Sequence, residues 1–193
     1  MKKIATKTLE RKKQRRNNLI ISIILILVIS LSVFGIVANS FSSTNSSEFT
    51  EYQGYKFYSQ GDFWALDMGD FSFVFKYLPS ELDNISVEIN ELNLVTNYGG
   101  NPLYFSSENS YSTYEIYQNL NQIVSKTQLA CLTEEDCQED LPIKTCEDNF
   151  IILKKSETNK IIQQDNCVFI EGTEEDLAKL TDLFLYKIFG IKE

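Results

Sequence analysis

An α+β fold is expected for this chain: an N-terminal transmembrane helix, then a β-meander, then a mixed βαβ-ββ-α sheet with helices packed on it. Three observations lead there. An uncharged apolar run of twenty residues lies near the start, aromatic and polar side chains alternate over residues 55–77, and strand-like and helix-like segments take turns in the second half. Hydrophobic residues make up 43% of the 193, with only 8 Gly and 3 Pro, so the chain has the apolar content of a packed domain rather than of a disordered segment.

Residues 1–18 form a basic segment. Lys2, Lys3, Lys7, Arg11, Lys12, Lys13, Arg15 and Arg16 stand against Glu10 alone, a net +7. Ten basic and 26 acidic residues remain after Arg16, a net −16. An acidic body excludes nucleic acid as its expected partner, because a phosphate backbone is held by positive charge. The absence of histidine removes Ser-His-Asp and Cys-His hydrolysis and the usual histidine-bearing zinc sites.

Residues 19–38, LIISIILILVISLSVFGIVA, are long enough as a helix to span a hydrocarbon core of ~30 Å. The basic segment precedes the span and only polar and acidic residues directly follow it, so the N-terminus is expected in the cytoplasm and residues 39–193 outside the cell membrane. A cleaved signal ending at Ala38-Asn39-Ser40 is the competing reading; the apolar run exceeds the ~7–15 residues of a signal core. Residues 39–50 are rich in Ser, Asn and Thr and read as a flexible stalk. The exported α+β domain then covers residues 51–193. Asn45 and Asn84 each open a glycosylation sequon.

Over residues 55–77 short turns at Gln60-Gly61 and Gly69-Asp70 mark out three strands. Phe71, Phe73, Phe75 and Tyr77 share one face of the third and are expected in the core; Trp64 is assigned a packing role in the second. After Pro79, Ile85, Val87 and Ile89 alternate as a fourth strand. A strand over residues 92–98 is expected to end at Gly99-Gly100-Asn101-Pro102. Ser112-x-x-Glu115 reads as a capping box that starts a helix, with Tyr114, Tyr117, Leu120 or Asn121, and Val124 as its buried stripe. A parallel strand over residues 128–132 completes a βαβ unit. Residues 150–154 and 160–164 read as a hairpin around 156–159, the second arm running on to Ile170. Residues 172–176 open a last helix with a second capping box; Leu177, Leu180, Phe184 and Ile188 line one face and Gly190 closes it.

Cys131, Cys137, Cys146 and Cys167 all fall in the exported part, where pairing is the rule. The hairpin register places Cys146 near Cys167, which leaves Cys131 with Cys137. The C-x5-C-x8-C-x20-C spacing lacks the C-x2-C knuckle of structural zinc sites, and no C-x-x-C starts a helix as in thioredoxin-like redox domains. Glu134, Glu135, Asp136, Glu139 and Asp140 are a weak calcium candidate, since their spacing matches no calcium loop. No other metal and no cofactor is expected.

Gly54-Tyr55-Lys56-Phe57, Leu78-Pro79-Ser80-Glu81-Leu82, Pro142-Ile143-Lys144-Thr145-Cys146 and Asp165-Asn166-Cys167-Val168 together resemble a group of uncharacterised, single-pass membrane-anchored archaeal proteins. That resemblance implies a surface location and no activity. The expectation is therefore a non-enzymatic, membrane-anchored extracytoplasmic binding or structural module with a protein or envelope partner. The alternative is an exported enzyme using carboxylates or thiols, or a thioredoxin-like redox-related domain.

Overall fold

The computed structural model describes residues 48–107, 109–133, 137 and 140–192, which form one α+β unit. The apolar run at 19–38 and Asn45 lie outside the described residues, among which no helix is long and apolar enough to cross a membrane.

Four strands open the unit: β1 (Phe49–Tyr52), β2 (Tyr55–Gln60), β3 (Phe63–Met68) and β4 (Phe71–Phe75), an antiparallel meander in that order. Two-residue turns join them. At the first turn Gln53 (φ 49°) and Gly54 (φ 86°) both take the left-handed conformation whose twist suits a tight hairpin. β1 corrects the expected stalk boundary, since Phe49 and Thr50 already pair with Tyr58 and Phe57. On β4, Phe73 and Phe75 are buried as expected, but Phe71 is 43% exposed.

The second sheet has six strands in the order β5-β9-β10-β8-β6-β7: β5 (Glu88–Ile89), β6 (Pro102–Ser107), β7 (Lys126–Leu129), β8 (Asn149–Lys155), β9 (Lys160–Gln164) and β10 (Cys167–Gly172). All neighbours run parallel except β9 and β10. The fourth strand expected around Ile85, Val87 and Ile89 shrinks to β5 and joins this sheet, not the meander.

Three expectations need correction here. Residues 92–98 hold a 3-10 turn (Val95–Asn97) rather than a strand, and the first strand of the βαβ unit is β6, starting at the proline read as a terminator. Proline is tolerated at the first position of a strand, and the run Leu103-Tyr104-Phe105 is apolar throughout because both faces of β6 are covered. The second parallel strand is Lys126–Leu129, which begins two residues and ends three residues before the expected segment 128–132. Finally, β8 and β9 are not hairpin partners. β9 turns back through Asp165-Asn166, with Asp165 at φ 52°, and β10 slots between β9 and β8. Residues 156–159 cross over the end of β10, where Gly172 leaves no room for a side chain: a Cβ there would lie 2.5 Å from Leu180 Cδ1 and 2.8 Å from Asn159 Oδ1.

Two helices complete the unit, α1 (Ser110–Leu120) and α2 (Leu177–Ile188). α2 lies between the sheets. Its Tyr186 ring packs 4.3 Å from Phe75 and 5.9 Å from Phe57 on the meander side, while Leu177, Leu180 and Phe184 share one buried cluster with Ile161, Val168 and Ile170 of the mixed sheet. Thr173 Oγ1 accepts the Asp176 N–H at 3.2 Å before the helix begins, and Gly190 (φ 70°) follows its end. The opposite face of the mixed sheet carries a smaller cluster of Tyr104, Ala130, Phe150, Ile152 and Cys167, covered by Leu132 and Cys146 of the disulfide-bearing segment.

Both expected disulfides form, Cys131–Cys137 and Cys146–Cys167. The second forms for a different reason from the register argument. Cys146 just precedes β8 and Cys167 opens β10, and in the parallel pairing Cys167 stands opposite Phe150, so both chain ends meet at one edge. The Asn166 N–H donates to Cys146 O at 3.0 Å and fixes the approach.

Candidate functional site: a tyrosine groove and a buried acid pair

Helix α1 organises both features. Its start is capped by Asn109, whose Oδ1 accepts the Ser112 N–H at 3.0 Å. The expected Ser112/Glu115 box does not form: both side chains point inward, where Ser112 Oγ and Glu115 Oε2 are buried without a hydrogen-bond partner. The predicted stripe is rotated accordingly. Ile116 and Leu120 are buried, but Tyr114 and Tyr117 face out, Tyr114 at 59% exposure, and Tyr111 is partly exposed beside Lys76.

The helix turns this way because its inner face meets the open edge of β4. That edge presents backbone groups of Ser72, Val74, Lys76 and Tyr77 that no strand covers. Asn119, 1% exposed, accepts the Val74 N–H through Oδ1 at 2.8 Å and donates Nδ2 to Val74 O at 2.8 Å and to Glu115 O at 3.0 Å. Gln122 Nε2 donates to Ser72 O at 3.0 Å. From α2, Asp182 Oδ2 accepts the N–H groups of Lys76 at 3.0 Å and Tyr77 at 2.8 Å, while Tyr186 Oη donates to Tyr77 O at 2.6 Å. Side chains thus replace a fifth strand.

Asp182 is fully buried, and its Oδ1 has no hydrogen-bond partner, like Glu115 Oε2. Burial pushes the Glu115 carboxyl up to about 7, against the opposing effects of hydrogen bonds from Asp182 and the Lys76 backbone and of the Lys76 charge. Burial, and then the neighbouring Glu115, raise Asp182 well above the usual carboxylate range. Burial also lifts the Tyr111 phenol to about 12, helped by Glu115, Asp182 and Tyr77. Lys76 stays at the surface, its ammonium 5.2 Å from the centre of the Tyr111 ring and 5.4 Å from that of Tyr77.

On the outer side of α1, a groove of about 570 Å³ runs between the helix and the edge strand β7. Phe105, Tyr114, Tyr117 and Leu129 supply its apolar wall, and Ser107, Thr113, Thr127 and Gln128 supply neutral hydrogen-bonding groups. The Tyr114 and Tyr117 rings sit 6.3 Å apart. Among the described residues no charged side chain lines it. Its size falls in the range of ligand clefts, and exposed tyrosines are the residue type most used for adaptable, low-entropy recognition.

Among the expected site residues, the four cysteines are all bonded and none supplies a free thiol. Glu134, Glu135, Asp136 and Glu139 lie outside the described residues, and Asp140 is exposed. Among the described residues no group of three or more acids or cysteines is placed to hold a metal ion. Asn84 is exposed on a turn after the 3-10 segment Pro79–Leu82, open to modification. Glu115, Asn119 and Asp182 were missed. One signal existed: Thr181-Asp182 interrupts the apolar residues of Leu177–Ile188, away from its two lysines, Lys179 and Lys187. Compared with family models, curated proteins and solved structures, the chain matches none.

Proposed function

We propose that this chain is a membrane-anchored extracytoplasmic binding module that engages its partner through the tyrosine face of α1 and the adjoining edge of β7. The observation that carries the reading is the groove itself: two neighbouring exposed tyrosines and Leu129, 50% exposed, beside a cleft whose described lining is uncharged, on an otherwise acidic domain. Large apolar side chains exposed together and rimmed by polar groups are characteristic of interaction sites. The two disulfides fit an oxidising compartment, which agrees with a domain carried outside the cell by the basic segment and apolar run at 1–38. The resemblance to single-pass membrane-anchored archaeal proteins supports the same location.

The test uses the full-length chain in native membranes, with a photoreactive residue in place of Leu129. Crosslinking to one discrete partner, abolished by Tyr114→Ala with Tyr117→Ala, is the expected result. Crosslinks that survive the double substitution, or none above background, would overturn the assignment. Topology is checked separately: protease added to intact cells should remove residues 39–193 and spare a tag placed before Lys2.

A further inference from the structure

We propose that Glu115 and Asp182 form a single proton-binding site, and that the proton held there latches α1 and α2 to the edge of β4. Two buried carboxyl oxygens here lack a donor, and the two carboxyls are close enough to share one. Asp182 Oδ2 is already used by two backbone N–H groups, and Asp182 Oδ1 and Glu115 Oε2 are buried and unpartnered. Of the other groups around the pair, Ser112 Oγ is also buried and unpartnered and Tyr111 stands beside both acids, while the remaining ones are committed elsewhere. Tyr186 Oη donates to Tyr77 O, Lys76 Nζ lies over the rings of Tyr77 and Tyr111, Glu81 accepts the Leu78 N–H, and Lys179 pairs with Asp176. One proton shared between the two carboxyls turns two orphaned acceptors into one hydrogen bond. Its loss leaves two like charges side by side in the interior, and the only relief is for α1 to move off the edge of β4, carrying Asn119 and the outer tyrosines with it.

The pH dependence has a definite sign. The folded chain keeps a proton that Glu115 releases near 4.5 when unfolded and near 7 when folded. The contribution of this site is therefore complete below about 4.5 and is lost as pH rises through about 7, the opposite of the usual salt-bridged carboxylate. The inference does not depend on what the tyrosine face binds.

The experiment is urea unfolding of the full-length chain at pH 5 and pH 8, followed by Trp64 fluorescence. Between these two values the unfolding constant of the wild type should rise by at least about tenfold, because the folded pair holds its proton more tightly than the unfolded chain does. Glu115→Gln, which keeps an N–H donor towards Asp182 and cannot ionise, should lose most of that rise. Equal pH dependence in the wild type and in Glu115→Gln would overturn the proposal. If Glu115→Gln does not fold, carbon-13 titration of the Glu115 carboxyl in the wild type decides the matter: a midpoint near 7 supports the shared proton, and a midpoint near 4.5 refutes it.

Discussion

Asn119→Ala is the substitution that most directly tests whether side chains close the β4 edge. Asn119 is buried and holds Val74 from both sides, so its truncation removes two 2.8 Å hydrogen bonds to that residue and a third to Glu115 O. A typical net hydrogen bond contributes about 1 kcal/mol, and a donor or acceptor left unpaired in the interior costs about 1–3 kcal/mol. Allowing for partial water entry at half-buried Val74, the loss should be about 3 kcal/mol, a large share of a domain stability of ~5–15 kcal/mol. Gln122→Ala is the control. It removes a similar bond to Ser72 at an exposed position and should cost less than about 1 kcal/mol. Urea unfolding read by Trp64 suits both, since Trp64 on β3 stands directly opposite Phe75 on β4. With a slope of about 2 kcal/mol/M, the Asn119→Ala midpoint should fall by roughly 1.5 M. If the two variants unfold within 0.3 M of each other, to within ordinary error of about 0.5 kcal/mol, water seals the edge and the side-chain ladder has no energetic role.

Three further outcomes are expected. Replacing Cys146 and Cys167 together by Ala should cost about 3 kcal/mol from the loop they close, against about 2 kcal/mol for Cys131 and Cys137, and urea midpoints under oxidising conditions rank the two. Gly172→Ala should lower the unfolding free energy by about 1–3 kcal/mol, because the new methyl meets Leu180 and Asn159 closer than contact; a neutral result would mean that the crossover at 156–159 is slack. Tyr114→Ala and Tyr117→Ala should each leave the unfolding free energy within about 0.5 kcal/mol of wild type, so any loss of binding they cause reports on the groove and not on the fold.

Where a single periodicity decided the element, the sequence was legible. The apolar stripe of Leu177, Leu180, Phe184 and Ile188 and the alternation at Phe73 and Phe75 both ended up buried, and the α+β class with a meander and a mixed sheet follows from them. Partner choice was not legible. The segments 150–154 and 160–164 look like hairpin arms because nothing local records that β10 will come between them; Asp165-Asn166 carried the turn, in residue types that tolerate a left-handed conformation. α1 was misoriented for a related reason. Tyr114 and Tyr117 outweigh Ser112, Glu115 and Asn119 in any hydrophobicity count, but the interior at that point is an unpaired strand edge, which needs amides and carboxyls more than rings. The candidate site was therefore almost wholly hidden: its tyrosines were read as core, and its acids as a cap or not at all.

The insertion of β10 between β8 and β9 sets an order of events in time. Cys131 and Cys137 are six residues apart and can meet through local chain motion before any sheet exists. Cys146 and Cys167 face each other only after the β9–β10 hairpin has docked into the gap beside β8, a parallel pairing between segments distant in sequence and therefore slow to find. Oxidation should accordingly pass through a species that holds the small bridge alone, its other two thiols open to alkylation, and closure of the second bridge marks the moment at which the central strand has arrived.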